Sequence, residues 1–335
     1  MLLAGDVGGT KTLVGLFAAG DDRPGAVHAE SFRTLDFSDL AALVSEFLRR
    51  AGREARDIDG ACFGVAGPVN DGRARLTNVP WIVDGDALCR QLPVGHTDVI
   101  NDLEALAWSV AVLEPAEIEI LSEGKPDSEG SAALIAAGTG LGVALLPRAA
   151  GRFVPTPSEG GHVDFAARNE REEVLRAALT HEFGRADLEQ VLSGPGLVNI
   201  YRFVYPHECA ATRKTVAEIL PAQISRSALE GQCRECRRTL ELFVSVYGAA
   251  AGNLALTALA TGGIFVGGGI APRILDALHW PVFLESFWSK TPLDNLMRRI
   301  PVKVILNPEA GLLGAATFAA AHRAGRAGGK LVDGR

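Results

Sequence analysis

The sequence predicts an α/β protein of two domains of similar plan flanking a cleft. Three observations lead there. One apolar, strand-like run leads into Gly5-Asp6-Val7-Gly8-Gly9-Thr10, and a second leads into Gly138-Thr139-Gly140-Leu141-Gly142. After each glycine stretch the pattern alternates strands with helices. Between the two halves the composition turns polar and turn-rich, at Gly124-Lys125-Pro126-Asp127-Ser128-Glu129-Gly130. A chain of 335 residues suits two domains. We place a small N-terminal domain at 1–115 and a large one at 116–335, with the C-terminal helix free to pack back on the small domain.

Each element follows from local pattern. Leu2-Leu3-Ala4 and Leu13-Val14-Gly15-Leu16-Phe17 read as strands joined by the first glycine turn, with a third strand near 26–33. Leu40, Leu43, Val44, Phe47 and Leu48 recur at helical spacing after Ser38, a candidate N-cap, and stop at Gly52. Ala61-Cys62-Phe63-Gly64-Val65 reads as a buried strand. Val99-Ile100 reads as another, feeding a helix with Leu103, Leu106, Ala107 and Val110 on one face. The second half repeats the opening with strands at 132–137 and 143–146. Helices follow at 170–183, 196–204, 215–228 and 232–260, then a strand at 264–266. A short helix at 272–278, a strand at 302–306 and a helix at 310–322 complete the pattern. The glycine- and charge-rich tail, 323–335, is expected to fray.

Composition narrows the function. A net charge of −7 argues against a nucleic-acid partner, which wants a basic surface. Five scattered cysteines fit a reducing compartment rather than a disulfide framework. No secretory signal pattern opens the chain. Residues 242–270 carry no charge and are long enough to imitate a membrane span. Gly248, Gly252, Asn253 and Thr261-Gly262-Gly263 interrupt them, so they read as a buried helix followed by a buried strand. No membrane partner is expected.

The glycine stretches carry the first chemical signal. Without a Cβ, backbone N–H groups approach a ligand closely, and several of them facing one concavity bind an anion. Taken alone, the first stretch serves equally as a hairpin turn. Paired with the second, it suggests a phosphate chain held by both. Asp6 beside such a nest would repel phosphate unless a cation such as Mg²⁺, through its waters, lies between them. Thr10 adds a hydroxyl. No GxxxxGK[ST] spacing is present, since Lys11 follows Thr10 directly.

Asn101-Asp102 stands where an apolar strand becomes a helix. Its plain reading is a helix cap; its functional reading is a general base that accepts the proton of an attacking hydroxyl during phosphoryl transfer. Glu159-Gly160-Gly161-His162 packs acceptors, donors and two permissive glycines into four residues, as a polyhydroxylated ligand requires, although a polar surface turn would look the same. Glu189 alone looks like an exposed helix residue. Gly267-Gly268-Gly269 follows a buried strand and suits either a nucleotide contact or close helix packing. Cys233-Arg234-Glu235-Cys236 reads as reduced thiols at a helix start. His207, Cys209, Cys233 and Cys236 are too loosely spaced to make zinc the favoured reading.

Together these residues resemble the bacterial glucokinase family of the sugar kinase, actin and heat-shock ATPase superfamily. The resemblance runs from about residue 3 to about residue 322. It rests on the two glycine loops, the second continuing to Val143, and on Thr77-Asn78-Val79-Pro80-Trp81 and Ile100-Asn101-Asp102. Glu159-Gly160-Gly161-His162-Val163-Asp164-Phe165, Val191-Leu192-Ser193-Gly194-Pro195-Gly196 and Gly311-Leu312-Leu313-Gly314-Ala315 complete it. It implies two actin-like ATPase (ribonuclease H-like) domains and ATP-dependent, Mg²⁺-requiring phosphorylation of glucose at its 6-hydroxyl, in a cytoplasmic homodimer. By motif position Asp102 matches the family's catalytic base, and Asn101, Glu159, His162 and Glu189 match its sugar-binding residues. Gly5, Asp6, Val7, Gly8, Gly9, Thr10, Gly138, Thr139, Gly140 and Gly268 match its nucleotide contacts. Lys11-Thr12-Leu13 departs from the family's usual continuation of the first loop, and Lys11 is itself placed to reach a phosphate. The cysteine-rich zinc signature of the related repressor and kinase group is missing. A kinase for mannose, fructose or an N-acetyl hexosamine, and a non-catalytic sugar sensor, are the alternatives.

Overall fold

The structure is a computed structural model that describes residues 1–20, 22–76, 79–204, 209, 211–212, 214 and 218–327. Thr77, Asn78 and His207 lie outside these residues, as does the end of the tail. By its internal contacts the chain divides into two units, Met1–Glu114 with Asn307–Arg335, and Pro115–Leu306.

In the first unit the opening glycine stretch forms a hairpin between β1 (Leu2–Val7) and β2 (Lys11–Ala18), and β2 continues antiparallel into β3 (Gly25–Arg33). Helix α1 (Leu40–Arg50) is capped by Asp39 rather than Ser38: the Asp39 carboxylate accepts the Ala42 N–H at 2.8 Å. Strand β4 (Gly60–Val65) pairs parallel with β1. Next come β5 (Val69–Asn70), β6 (Arg73–Arg75) and β7 (Ile82–Asp84), a small separate sheet, and α2 (Gly85–Gln91). Strand β8 (Thr97–Asn101) then pairs parallel with β4 and leads directly into α3 (Asp102–Ser109). The main sheet therefore has the order β3-β2-β1-β4-β8.

The second unit repeats that order and adds a strand. It contains β9 (Ile118–Ser122), β10 (Ala132–Ala137), β11 (Leu141–Leu146), the short hairpin β12 (Arg148–Ala149) and β13 (Arg152–Phe153), and β14 (Thr156–Ser158). Helices α4 (Glu170–Phe183), α5 (Gly194–Val204), α6 (Pro221–Leu229) and α7 (Arg234–Thr257) follow. The chain then runs through β15 (Gly263–Gly267), α8 (Leu275–Leu278), α9 (Pro281–Trp288), α10 (Asp294–Met297) and β16 (Val302–Ile305). Its sheet is ordered β14-β11-β10-β15-β16-β9, with β10, β15 and β16 parallel. An antiparallel hairpin followed by parallel strands thus opens both sheets. The last helix, α11 (Ala310–Ala327), packs on α3, β1 and β4 of the first unit.

Side-chain alternation along β1 explains the layering. Leu3 and Val7 face one core with Leu43, Val44 and Phe47 of α1, while Leu2 and Ala4 face the other with Leu312, Ala315 and Ala316 of α11. In the second unit α7 is apolar and long enough to cross a membrane, yet 78% of its most apolar stretch is buried in the protein, so it serves as the core helix. It packs against β10 and β15.

The structure departs from expectation in a few places. Residues 118–122, just before the polar seam and not expected as a strand, form edge strand β9. The helix expected at 215–228 starts at Pro221, whose missing N–H costs nothing at a first helical position; residues 215–217 lie outside the described residues. The last helix continues to Ala327 instead of stopping at 322.

Candidate active site

In the first unit the strand-to-helix junction decides which residue caps. Asn101 is the N-cap of α3: its side-chain oxygen accepts the N–H of Leu103 at 2.9 Å and of Glu104 at 3.4 Å, and its amide donates to the Gly67 carbonyl at 3.0 Å. Asp102, as the first helical residue, is thereby relieved of capping, although it shares the Leu103 N–H at 2.9 Å. Its carboxyl keeps an exposed surface, but desolvation by the surrounding protein and repulsion from Asp6 push its pKa up to about 6. Such a group is ionised at neutral pH and close in proton affinity to a working base.

Asp6 sits near the end of β1. Burial raises its pKa, and the positive charge of Lys11 partly opposes this. Its side chain also approaches the first turn of α11, where a Cβ on Gly311 would come within 3.2 Å of Asp6 Oδ2. A side chain at that position would press the carboxylate a few tenths of an ångström away from the start of the helix. The hairpin turn is braced from outside. Gly8 N–H donates to Lys11 O at 3.1 Å, and the Thr34 hydroxyl donates to Gly8 O at 2.8 Å. Among the described residues no hydrogen bond uses the N–H of Gly9 or Thr10. Gly5 and Val7 lie within β1: a Cβ on Gly5 would meet the Phe63 ring, and the Val7 side chain is buried in the core.

In the second unit the Gly138-Thr139-Gly140 turn joins β10 to β11 and has the same character. Gly138 N–H donates to Gly140 O and Gly138 O accepts from Gly194 N–H, each at 2.8 Å, while no described hydrogen bond uses the N–H of Thr139 or Gly140. Glu189 is not an exposed helix residue. It lies half-buried in a turn before α5, and its Oε2 accepts the Leu141 N–H at 2.9 Å, so it fixes the rim of that turn. Glu159 precedes a single 3₁₀ turn, Gly160–His162. The Gly161 carbonyl accepts the Glu189 N–H at 3.0 Å, which ties this turn to the Glu189 turn. His162 Nδ1 lies 3.2 Å from Asp187 Oδ2. That bond, reinforced by the charges of Glu189, Asp187 and Glu159, raises the imidazole pKa. Glu159, His162 and Glu189 therefore share one electrostatic neighbourhood.

Gly268 follows β15 with φ +82°, a left-handed conformation in which a Cβ would also collide with the Ala137 carbonyl. Two residues of this neighbourhood escaped sequence reasoning. Asp187 gave no local signal. Tyr247, buried in α7, accepts the Ala137 N–H at 3.2 Å and reaches the Gly267 carbonyl at 3.4 Å, tying the strand ends that feed two glycine turns. A tyrosine within a long apolar helix was its one signal, since buried tyrosines find a partner.

The family model for glucokinase matches residues 3–322. A glucokinase of Nostoc punctiforme is 39% identical over 339 aligned positions, covering 96% of this chain and 99% of that protein. One of Yersinia pestis is 34% identical, with 94% and 95% covered. Among solved structures, the glucokinase from an Antarctic psychrotroph superposes with a TM-score of 0.82 at 31% identity, over 95% of this chain and 98% of that one. The paired hairpin-and-parallel sheets are those of the actin-like ATPase (ribonuclease H-like) fold, as the resemblance implied. With the sheet order, the glycine turns and the match over nearly the whole sequence in agreement, the chain belongs to the glucokinase family.

Proposed function

We propose that this protein transfers the γ-phosphoryl group of ATP to the 6-hydroxyl of glucose, with Asp102 as the general base. The observation that carries the assignment of the base is the division of labour at the start of α3. Asn101 caps the helix, and Asp102 is left with a pKa raised to about 6 by desolvation and by Asp6. In phosphoryl transfer the protein mainly positions groups and stabilises charge, so one carboxylate that takes up the hydroxyl proton completes the chemistry. The relatives named glucokinase support glucose as the acceptor.

Within this reading Asn101, Glu159, His162 and Glu189 bind the sugar hydroxyls. Carboxylates accept from them, and the imidazole donates or accepts according to its protonation. The amides of Gly9 and Thr10 and those of Thr139 and Gly140 hold phosphate oxygens, with Gly268 at the nucleotide and Lys11 within the same anion-binding group. Asp6 fits a divalent cation: a partly buried carboxylate with a raised pKa, near a second carboxylate, is relieved by positive charge. Mg²⁺ held there through water would neutralise charge on the phosphates. The same reading makes the protein a cytoplasmic homodimer without a nucleic-acid or membrane partner. Five free cysteines and a net charge of −7 agree with that compartment and with the lack of a nucleic-acid surface.

A coupled assay for glucose 6-phosphate tests the activity, with glucose, mannose, fructose and N-acetylglucosamine compared by kcat/KM. We expect turnover that depends on ATP and Mg²⁺ and is highest with glucose. A higher kcat/KM for another hexose would move the assignment to that sugar, and no turnover with any of them would leave a sugar-binding protein.

A further inference from the structure

The Cys233–Cys236 pair looks unremarkable in sequence, but the fold brings a third thiol to it. Sγ atoms of Cys209, Cys233 and Cys236 all lie within 4.8 Å of one another, and all three residues are buried. Cys209 Sγ and Cys236 Sγ are 3.5 Å apart although the residues are separated by 27 positions. A tetrahedral zinc with bonds of about 2.3 Å to sulfur sets its sulfurs about 3.8 Å apart, so the cluster needs only slight adjustment to close on a metal.

The start of α7 holds two of the three sulfurs together. Cys233 is the N-cap of α7, and its sulfur accepts the Cys236 N–H at 3.4 Å. Metal binds the thiolate form of cysteine. Three thiolates buried together repel one another strongly without a cation among them. Oxygen-seeking ions such as Mg²⁺ do not suit three sulfurs, whereas zinc does.

We propose that Cys209, Cys233 and Cys236 form a structural zinc site that ties Cys209 to the first turn of α7. Three Zn–S bonds replace three S–H bonds, and the protons leave to solvent. The cysteines stay reduced throughout, and a water or another donor completes the tetrahedron. None of the three belongs to the residues assigned to catalysis.

The test uses the full chain purified without chelator. Elemental analysis should find about one zinc per chain. Cys209→Ser, Cys233→Ser and Cys236→Ser should each retain at least tenfold less zinc, while Cys89→Ser should retain it. Should those variants fail to fold, the wild-type protein still decides. Exchange into cobalt should give intense sulfur-to-metal charge-transfer bands and tetrahedral visible bands. A mercurial that titrates the thiols should release the zinc in step. A wild-type protein that takes up neither zinc nor cobalt while all five thiols titrate freely would overturn the proposal. So would a Cys209–Cys236 disulfide found by peptide mapping of the same preparation.

Discussion

Replacing Asp102 by Asn tests the proposed base apart from the rest of the site. The amide keeps the shape and can still accept a hydrogen bond from a sugar hydroxyl, but it does not take up a proton at working pH. General-base catalysis contributes about 10²–10⁴-fold, which at about 1.36 kcal/mol per decade is about 2.7–5.4 kcal/mol of transition-state stabilisation. We expect kcat to fall by that factor while glucose affinity, measured by calorimetry, changes only a few-fold. Stability should move the other way. In the native protein the Asp102 pKa, about 6, lies above its ordinary 3.8, so the folded state holds the proton more tightly than the unfolded one. Its contribution to stability is complete below about pH 3.8 and is lost as pH rises through about 6. Asp102→Asn removes that loss, so its Tm relative to wild type should rise between pH 4 and 6 and stay raised above. Because the side chain keeps an exposed surface, solvent screening holds the gain to about 1 kcal/mol or less. In wild type, kcat/KM should fall below about pH 6 as the base protonates. Near-normal turnover in the variant, or an equal loss of glucose binding and turnover, would rule out Asp102 as the base.

Other substitutions probe the rest of the site. Glu189→Ala removes the acceptor of the Leu141 N–H and should raise the glucose KM about tenfold or more, whereas Glu189→Gln, which keeps an acceptor, should raise it less; steady-state kinetics decides. Tyr247→Phe leaves the buried Ala137 N–H without its hydroxyl partner, and should cost about 1–3 kcal/mol in denaturant unfolding and raise the ATP KM. Asp6→Asn should raise the Mg²⁺ concentration needed for half-maximal activity and move the acidic limb of the pH profile down, because one charge facing Asp102 is gone. Glu172 is wholly buried and bonded to Arg168 and Asn169, so Glu172→Ala should destabilise by about 3 kcal/mol or more in thermal or denaturant unfolding.

Much of the fold was legible because its core obeys simple periods. β1 alternates Leu2 and Leu3 toward two different helices, and α1 carries five apolar residues at helical spacing. Strands β5, β6 and β7 were not legible: at two or three residues each, rich in arginine, they carry no period. The N-cap of α1 went to Asp39 because the strength of a cap depends on the backbone angle at the position, which the sequence does not state. For the site, Asn101-Asp102 marked the strand-to-helix junction but not which of the two capped the helix. Glu189 was readable only through family resemblance, since its role depends on a distant turn, and Cys209 acquires its neighbours only through the packing of a helix 27 positions away.

A crystal structure with glucose and a non-hydrolysable ATP analogue bears most directly on the role of Asp102. A carboxylate oxygen of Asp102 should lie within about 2.6–3.2 Å of the glucose 6-hydroxyl, with that hydroxyl facing the terminal phosphate. An Asp102 carboxylate beyond reach of any sugar oxygen, with another group bonded to the 6-hydroxyl, would contradict the account.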